Sequence, residues 1–305
     1  MPRAAGRPAT RRRPALHLVD ASPYVFRAWF SLPDSLRAPD GRPVNAVHGF
    51  AGFLLRYLGE ERPTHLALAF DRSLDSSFRN ELYPAYKSSR EEAPDELAEQ
   101  FELCEELGRR LGLAVLSDER YEADDLIASL AARHAAATSR RVIVTSDKDL
   151  AQLVDARTTL YDFARGERLG PREVRARFGV APRQIADYLG LAGDPVDDIP
   201  GVRGVGPKTA AALLARFGSL ERLYRDLSRV AALEDLRGAR GLAERLEAGR
   251  ESAFLSRELA TVARDAPVRG GLRALALGPV DAEGLGALCD ELGFGRLRER
   301  LLARV

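Results

Sequence analysis

The first half of the chain contains four short apolar runs, each of strand length and each ending in an acidic residue. They span residues 16–20, 66–71, 113–118 and 142–147. The runs are continuous and not alternating, as expected for strands buried on both faces of a parallel sheet. Helical periodicity fills intervals between them, at residues 46–58, 95–111 and 123–136. Alternating strands and helices predict an α/β fold with a mostly parallel sheet and helices on both faces.

Two segments depart from this alternation. Residues 74–92 form a long polar connection, and connections of that length without a packed core are usually functional or mobile. After residue 180, only short helical patterns and glycine-rich turns follow. We therefore expect an α/β domain over residues 16–180 and a helical domain over residues 181–305. Residues 1–15 contain five Arg and are expected to form a disordered basic tail.

The composition narrows the class of protein. Apolar residues make up 45% of the chain and charged residues 30%, which is typical of a folded protein. No window approaches 18 consecutive apolar residues, and the N terminus lacks the apolar core of a secretory signal. Cys104 and Cys289 are too few for a disulfide framework or a cysteine metal cage. These features predict a cytoplasmic protein without a membrane span.

The basic residues are divided very unevenly between Arg and Lys. The net charge is only +1, and of 46 basic residues just three are lysines: Lys87, Lys148 and Lys208. Lys differs from Arg in being a compact point charge whose pKa shifts readily. A lysine that persists against so strong a preference for Arg is therefore a candidate for a specific role.

Acidic residues at the ends of the predicted elements form the strongest chemical pattern. Parallel strands end at one edge of a sheet, where the ligands of α/β proteins bind. Acids that are far apart in sequence are therefore expected to meet there. The set comprises Asp20, Asp71, Glu122, Asp124, Asp125, Asp147, Asp149, Asp194 and Asp197.

Such a cluster of carboxylates predicts a site for hard divalent cations. Like charges a few ångströms apart raise each other's pKa, and Mg²⁺, which prefers carboxylate and water oxygens, relieves this repulsion. Two such ions about 3.5–4 Å apart stabilise the attacking and leaving oxygens of a phosphodiester displacement. No His pair or Cys set has zinc spacing. A single acid is more often only a strand or helix cap, the interpretation we keep for Asp118 and Asp198.

The polar connection contributes two cationic side chains to the predicted site. Lys87 and Arg90 are three residues apart, share one face of a short helix, and are suited to stabilise charge that develops on a phosphate. Tyr86 is predicted to stack on an unpaired base. Without the acids, a solvated loop would be the simpler interpretation. Lys148 lies between two predicted ligands and is interpreted as structural.

A glycine-rich string at residues 199–210 predicts a helix-hairpin-helix element. A nucleotide-binding P-loop is excluded because Pro207 separates the last Gly from Lys208 and no buried strand precedes the glycines. Glycines and a helix N terminus let backbone N–H groups approach DNA phosphates without reading sequence. An ordinary glycine-rich turn is the alternative. The predicted DNA-contacting residues are Gly201, Arg203, Gly204, Gly206, Lys208 and Thr209, in a hairpin that spans residues 199–217.

Together these motifs resemble the 5′-nuclease family, which includes flap endonucleases and the 5′→3′ exonuclease domain of bacterial DNA polymerase I. The matching strings run in the family's order over residues 16–300. They are LVD at 18–20, AFD at 69–71, FR at 78–79 with YKSSR at 86–90, YEADD at 121–125, TSDKD at 145–149, and GD at 193–194 with GPKTA at 206–210. The resemblance extends DNA binding to Arg79, and the chain is expected to be a stand-alone bacterial member.

This resemblance implies a PIN-like 5′-nuclease core, a helical arch over about residues 74–112, and a two-metal mechanism on DNA. The first ion is assigned to Asp20, Asp71, Glu122, Asp124 and Asp125, and the second to Asp147, Asp149, Asp194 and Asp197. Mg²⁺ is the expected ion, with Mn²⁺ as a substitute and K⁺ at the hairpin. The expected substrates are 5′ flaps, 5′ ends and junctions of DNA, acted on by a monomer in replication or repair.

Other functions remain as alternatives. The chain is then a structure-specific DNA-binding protein with a silent nuclease site, or a PIN-type ribonuclease. The extended C-terminal hairpin region disfavours the ribonuclease. A phosphatase of the haloacid dehalogenase type is excluded because it needs a second Asp two positions after Asp20, where Ser22 stands.

Overall fold

A single six-stranded sheet forms the centre of the N-terminal part of the molecule. The computed structural model describes residues 13–72, 76–90, 93–233 and 239–303. The strands are β1 (Ala15–Asp20), β2 (Leu66–Asp71), β3 (Ala114–Asp118), β4 (Arg140–Val144), β5 (Thr158–Asp162) and β6 (Glu167–Leu169). Their order is β3-β2-β1-β4-β5-β6, and only the β5–β6 pair is antiparallel. The predicted basic tail, apart from residues 13–15, lies outside the described residues.

The parallel register brings the strand ends to one edge. In the centre, β1 pairs with both β2 and β4, with Asp20 opposite Ala69 and Val19 opposite Val144. The predicted strands β1, β2 and β4 are therefore buried between neighbours on both sides, whereas β3 is a half-buried edge strand. Strands β5 and β6 were not predicted, because the mixed sequence TTLYD and a three-residue strand carry no continuous apolar run.

Helices cover both faces of the sheet and form most of the C-terminal half. In the first half they are α1 (Ser22–Ser31), α2 (Asn45–Glu61), α3 (Phe78–Leu82), α4 (Asp95–Arg110), α5 (Ala123–Arg133) and α6 (Pro171–Phe178). Next come α7 (Ile185–Ala192), α8 (Pro207–Phe217), α9 (Leu220–Arg225), α10 (Leu227–Ala231), α11 (Ala239–Ala248), α12 (Arg250–Ala260), α13 (Ala282–Glu291) and α14 (Gly295–Leu302). Short 3₁₀ turns occupy Asp149–Leu153, Pro182–Gln184 and Leu272–Leu275.

Two apolar cores lie on opposite faces of the sheet. One face packs against α1, α2 and α4, where Phe50, Tyr57 and Phe70 are fully buried. The other face packs against α5 and is continuous with the core of the helices that follow α6. The predicted α/β sheet with helices on both faces is confirmed. No described helix combines the length and apolar character needed to cross a bilayer.

The last helices return to the sheet domain. Leu277 N–H donates to the Thr64 carbonyl at 3.1 Å, and Gly278 N–H donates to the Gly112 carbonyl at 2.8 Å. C-terminal to these two hydrogen bonds, α13 and α14 bury Leu285 and Leu301 in the core that contains α1, α2 and α4. Residues after 276 therefore pack with the α/β part, whereas the sequence predicted that they belong to the helical domain.

Candidate functional site

The ends of β1, β2 and β4 position three carboxylates through short hydrogen bonds. Thr145, directly after β4, donates its hydroxyl to Asp20 Oδ2 at 2.8 Å. Asp71 Oδ1 accepts the N–H of Ala123 at 2.8 Å, which ties the end of β2 to the first turn of α5. The same Thr145 hydroxyl accepts the N–H of Asp147 at 2.8 Å. Asp20 thus links the end of β1 to the end of β4, and Asp71 links the end of β2 to α5.

These acids line one cavity of about 140 Å³ at the carboxyl edge of the sheet. Seven of the nine predicted acids line it: Asp20, Asp71, Glu122, Asp124, Asp147, Asp149 and Asp197. Lys87 and Arg90 also line it, as do Ser22 and Phe26 of α1. The convergence expected from the strand pattern is therefore present in the structure.

The carboxylates on the β1 side of this cavity repel one another. Burial raises the pKa of Asp20 well above its ordinary value, and the charge of Asp71 raises it further. Burial likewise raises the pKa of Asp124, with added repulsion from Asp147 and Asp20. The pKa of Asp149 is raised by burial and then by Asp147. The charged forms of these carboxylates are therefore disfavoured in the protein alone, and a bound cation would stabilise them.

The donor set fits hard divalent cations. Every acid in the lining offers oxygen, and the cavity contains no Cys or His. Asp149 Oδ1 is buried without a hydrogen-bond partner among the described residues, as expected for an oxygen that awaits a ligand. In the described parts of the chain, no group of three or more His, Cys, Asp or Glu side chains has the geometry to hold a metal ion by itself. Since Mg²⁺ takes only one or two protein carboxylates directly and keeps several waters, it does not require such an arrangement.

Arg79 and Asp125 form a buried, bidentate ion pair. The guanidinium of Arg79 is 2% exposed and makes two parallel hydrogen bonds to the Asp125 carboxylate, at 2.7 and 2.8 Å. Arg79 also donates to the carbonyls of Leu259 and Thr261, and Asp125 accepts the N–H of Ala263. This buried pair joins α3, α5 and the end of α12. The pair therefore has a structural role in this structure, and the predicted DNA contact of Arg79 and ion contact of Asp125 stay predictions.

Both carboxylate oxygens of Asp194 also have partners within the protein. Its Oδ2 lies 2.6 Å from Nζ of Lys148, and its Oδ1 accepts the N–H of Val196 at 3.1 Å. It does not line the cavity. In this structure Asp194 forms an ion pair with Lys148, which links the end of β4 to the turn after α7, and the predicted ion contact of Asp194 stays a prediction.

Lys87 and Arg90 lie between two acids of the opposite wall. Lys87 Nζ is 2.9 Å from Glu122 Oε2 and 4.0 Å from Asp197 Oδ2, while Arg90 Nη2 is 2.5 Å from Asp197 Oδ1. Burial disfavours the charge of Lys87, but Glu122, Tyr86 and Asp197 outweigh it and raise its pKa. Burial would raise the pKa of Glu122, yet Lys87 and Arg79 hold it below its ordinary value. Lys87 and Arg90 therefore place positive charge at this wall in the protein alone.

Tyr86 differs from the prediction. Its side chain is 3% exposed, and its hydroxyl donates to Glu122 Oε2 at 3.2 Å. A ring buried in this way has no free face for a base. Its role is to support Glu122 and Lys87, whose Nζ lies 5.0 Å from the ring centre.

The glycine-rich string forms the predicted hairpin between α7 and α8. Pro207 opens α8, and Gly206 precedes it as the N-cap. Arg203, Gly204, Gly206 and Lys208 are exposed, and Thr209 is half-buried. The described hairpin therefore offers backbone and cationic groups at a helix N terminus, as the sequence predicted.

Gly201 is the exception within this hairpin. It is buried, its N–H donates to Ser256 Oγ at 2.9 Å, and its carbonyl accepts the Ser252 hydroxyl at 2.6 Å. Its φ is +61°, and a Cβ there would lie 2.3 Å from the N of Gly193. Gly201 thus fixes the hairpin on α12, and its predicted phosphate contact is corrected to a structural role.

Several residues of the site were not identified from the sequence. Arg245 of α11 lies over Gly204, with its side chain beside the same groove as Arg203 and Ser252. No sequence pattern points to Arg245, because α11 is about 40 residues from the hairpin and rich in charge. Thr145 was part of the recognised string, and its position directly after a strand is the only indication of its contact with Asp20.

Two family models together match most of the chain. The family described as "5'-3' exonuclease, N-terminal resolvase-like domain" matches residues 15–179, and "5'-3' exonuclease, C-terminal SAM fold" matches residues 180–283. The chain therefore belongs to the 5′–3′ exonuclease family, which consists of nucleases that hydrolyse DNA phosphodiester bonds. The resemblance expected from the motifs is confirmed.

The similar curated proteins are DNA polymerases I. That of Bacillus caldotenax is 40% identical over 290 residues, which is 94% of this chain and 32% of the relative. That of Pseudomonas aeruginosa is 44% identical over 288 residues, covering 94% of this chain and 31% of the relative. The chain thus spans about a third of the length of these relatives. Its predicted stand-alone character stays a prediction.

Solved structures share the fold. T5 5′-exonuclease with bound divalent metal ions (zinc) has a TM-score of 0.64 at 17% identity, over 95% of this chain and 98% of that one. The catalytic core of Rad2 in complex with DNA substrate has a TM-score of 0.62 at 15% identity, over 96% and 93%. At these identities the comparison establishes the architecture.

Proposed function

We propose that the protein is a metal-dependent 5′→3′ exonuclease and flap endonuclease that hydrolyses DNA at junctions between single strands and duplex. The observation that supports this most is the cavity that seven carboxylates line together with Lys87 and Arg90. An uncompensated acidic wall opposite a cationic wall suits a phosphodiester held between ions and fixed positive charge. Family membership and the DNA and metal complexes of T5 5′-exonuclease and Rad2 support the same proposal.

Two groups of acids would hold the ions. Asp20, Asp71 and Asp124 form one group, and Asp147 and Asp149 form the other, while Glu122 and Asp197 border them on the cationic side. Bound in pairs, divalent ions supply the Lewis acidity for attack by water and departure of the leaving oxygen. The protein contributes the placement of these oxygens, which Thr145 and the N–H of Ala123 fix at the strand ends.

Lys87 and Arg90 would act on the scissile phosphate. In the free protein their charges are turned towards Glu122 and Asp197. A phosphate that enters the cavity offers a competing anion at the same position, and its charge grows in the transition state. Preplaced cations stabilise that charge without reorganisation at the moment of reaction.

The hairpin would hold the duplex beside this cavity. Arg203, Lys208 and Arg245 supply exposed positive charge, and the N terminus of α8 supplies backbone N–H groups. Such contacts bind the phosphate backbone and not the bases. This arrangement supports recognition of DNA structure without sequence preference.

Mg²⁺ is the ion that we propose for the active state, with Mn²⁺ as a substitute and K⁺ at the hairpin. The all-oxygen donor set supports the choice of a hard cation. We also propose a monomer that acts on chromosomal DNA in the cytoplasm. The metal-bound and DNA-bound structural neighbours support a divalent ion and a DNA substrate.

The test is cleavage of an end-labelled 5′-flap duplex, with product mapping. We expect cuts near the junction that require Mg²⁺, disappear with EDTA and are lost in Asp71→Asn and Asp147→Asn. Absence of cleavage, or cleavage that persists in EDTA, would contradict the proposal. Faster cleavage of a matched RNA substrate would favour the PIN-type ribonuclease.

A further inference from the structure

The segment that carries Lys87 and Arg90 is bound to the turn after α7. Lys87 N–H donates to the carbonyl of Asp197 at 3.1 Å, and Ser89 N–H donates to Asp198 Oδ2 at 2.8 Å. The turn is closed by paired backbone hydrogen bonds of 2.9 Å between Asp194 and Ile199. The loop of the N-terminal domain that contains Lys87 and Ser89 is therefore hydrogen-bonded to the turn over residues 194–199 of the C-terminal domain.

Both sides of this junction have unusual backbone conformations. Lys87 has φ +56° and Asp198 has φ +54°. A left-handed conformation is unfavourable for a non-glycine residue and persists only where surrounding contacts maintain it. Asp is among the residues that tolerate it, whereas Lys is not. The contacts of residues 87–89 with the turn are thus what maintain the conformation of Lys87.

We infer that Asp198 is a positioning residue for Lys87. Its carboxylate is absent from the cavity lining, so it acts through the loop and not on the substrate. By fixing Ser89, two residues further along, it determines where the Lys87 side chain leaves the backbone and keeps Nζ at 2.9 Å from Glu122. The inference rests on the proposed function for its catalytic consequence, and it corrects our interpretation of Asp198 as a simple cap.

The test compares Asp198→Ala with Asp198→Asn. Asn keeps an acceptor oxygen and tolerates the left-handed conformation, so it should retain kcat within about twofold. Asp198→Ala should lower kcat on a 5′-flap about tenfold, with duplex Kd in EDTA changed by less than about twofold. Asp40→Ala is the matched control, because it removes another exposed carboxylate that accepts a backbone N–H, from Arg42. It should leave kcat unchanged.

A double variant separates positioning from general damage. In the Lys87→Ala background, Asp198→Ala should cause no further loss of kcat, because the residue through which it acts is gone. Unchanged kcat in Asp198→Ala, an equal loss in Asp198→Asn, or a full further loss in the Lys87→Ala background would each overturn the inference.

Hydrogen exchange distinguishes failure of this inference from failure of the proposed function. In the protein without DNA or metal, Asp198→Ala should speed exchange of the Ser89 amide about tenfold, and Asp198→Asn should not. If the wild-type chain cleaves no DNA, the proposed function fails, and this exchange alone decides the inference. Unchanged protection of Ser89 in Asp198→Ala would then overturn it.

Discussion

Lys87 shows how a cation is kept charged at the edge of the cavity. It is half-buried, lies 2.9 Å from Glu122, and keeps its charge because nearby acids, Glu122 first, outweigh the cost of burial. A cation preplaced in this way stabilises the transition state more than the bound substrate. Lys208, by contrast, lies exposed on the hairpin and meets only the duplex backbone in our proposal.

Replacement of these two lysines should therefore have different effects. We expect Lys87→Ala to lower kcat about 10²–10³-fold while duplex Kd changes by less than about threefold. Lys208→Ala should weaken duplex binding and reduce the slope of log Kd against log salt by about one, with kcat maintained. Single-turnover rates and salt-dependent binding measure the two quantities. Equal losses of kcat and binding in Lys87→Ala would contradict its role.

The pair of Arg79 and Asp125 should matter for folding instead. Removal of one partner from a buried ion pair leaves an uncompensated charge, so Arg79→Ala should lower the free energy of unfolding by about 3–5 kcal/mol. Urea denaturation with and without Mg²⁺ checks this. Asp71→Asn serves as the control, because it should reduce cleavage with a much smaller loss of stability. Normal stability in Arg79→Ala would contradict the structural role.

At the scale of elements, the hairpin is positioned by α12. Ser252 and Ser256, one turn apart, hold the carbonyl and N–H of Gly201. The close approach of Gly201 to the backbone of Gly193 leaves no space for a side chain. The orientation of α8 relative to the cavity therefore depends on this contact.

Two glycine substitutions in the hairpin test this dependence. Gly201→Ala should destabilise the protein by about 2 kcal/mol or more, because it adds left-handed strain to an overlap at 2.3 Å. Gly206→Ala meets nothing within 4 Å and should cost less than about 1 kcal/mol. Thermal unfolding of the two variants is the measurement. Similar losses in both would show that the contact with Gly193 is unimportant.

The elements also show what the sequence allowed us to predict. Continuous apolar runs identified β1, β2, β3 and β4, and parallel pairing then implied that their acids meet. Residue type does not reveal which neighbour a side chain will face. Asp124 and Asp125 are adjacent on α5, and successive helical positions point about 100° apart, so one lines the cavity and the other faces Arg79. Tyr86 was misassigned for the same reason, since an aromatic residue in a polar segment gives no indication of its burial.

At the scale of the whole molecule, the central strand contains a buried titratable group. His17 of β1 lies 2.5 Å from the Tyr57 hydroxyl, and its pKa is lowered to about 4, mainly by burial. Glu61 opposes this shift, while Arg140 and Arg168 reinforce it. The folded protein therefore keeps His17 neutral at pH values where the unfolded chain would protonate it.

Stability should consequently fall in mild acid. The contribution of His17 is fully present above its unfolded pKa of 6.5 and is lost as the pH falls towards 4. Between pH 7 and pH 5 we expect a loss of about 2 kcal/mol that is absent from His17→Gln. Urea midpoints of both proteins at the two pH values isolate this difference from other titrations. The same pH dependence in both proteins would contradict the assignment.

The central claim is that the carboxylates at the edge of the sheet hold a pair of divalent ions beside a DNA phosphate. Anomalous diffraction from crystals grown with Mn²⁺ and a 5′-recessed duplex tests it most directly. We expect two peaks inside the cavity, about 3.5–4 Å apart, one beside Asp20 and Asp124 and the other beside Asp147 and Asp149. An empty cavity, or manganese bound only at the surface, would contradict it.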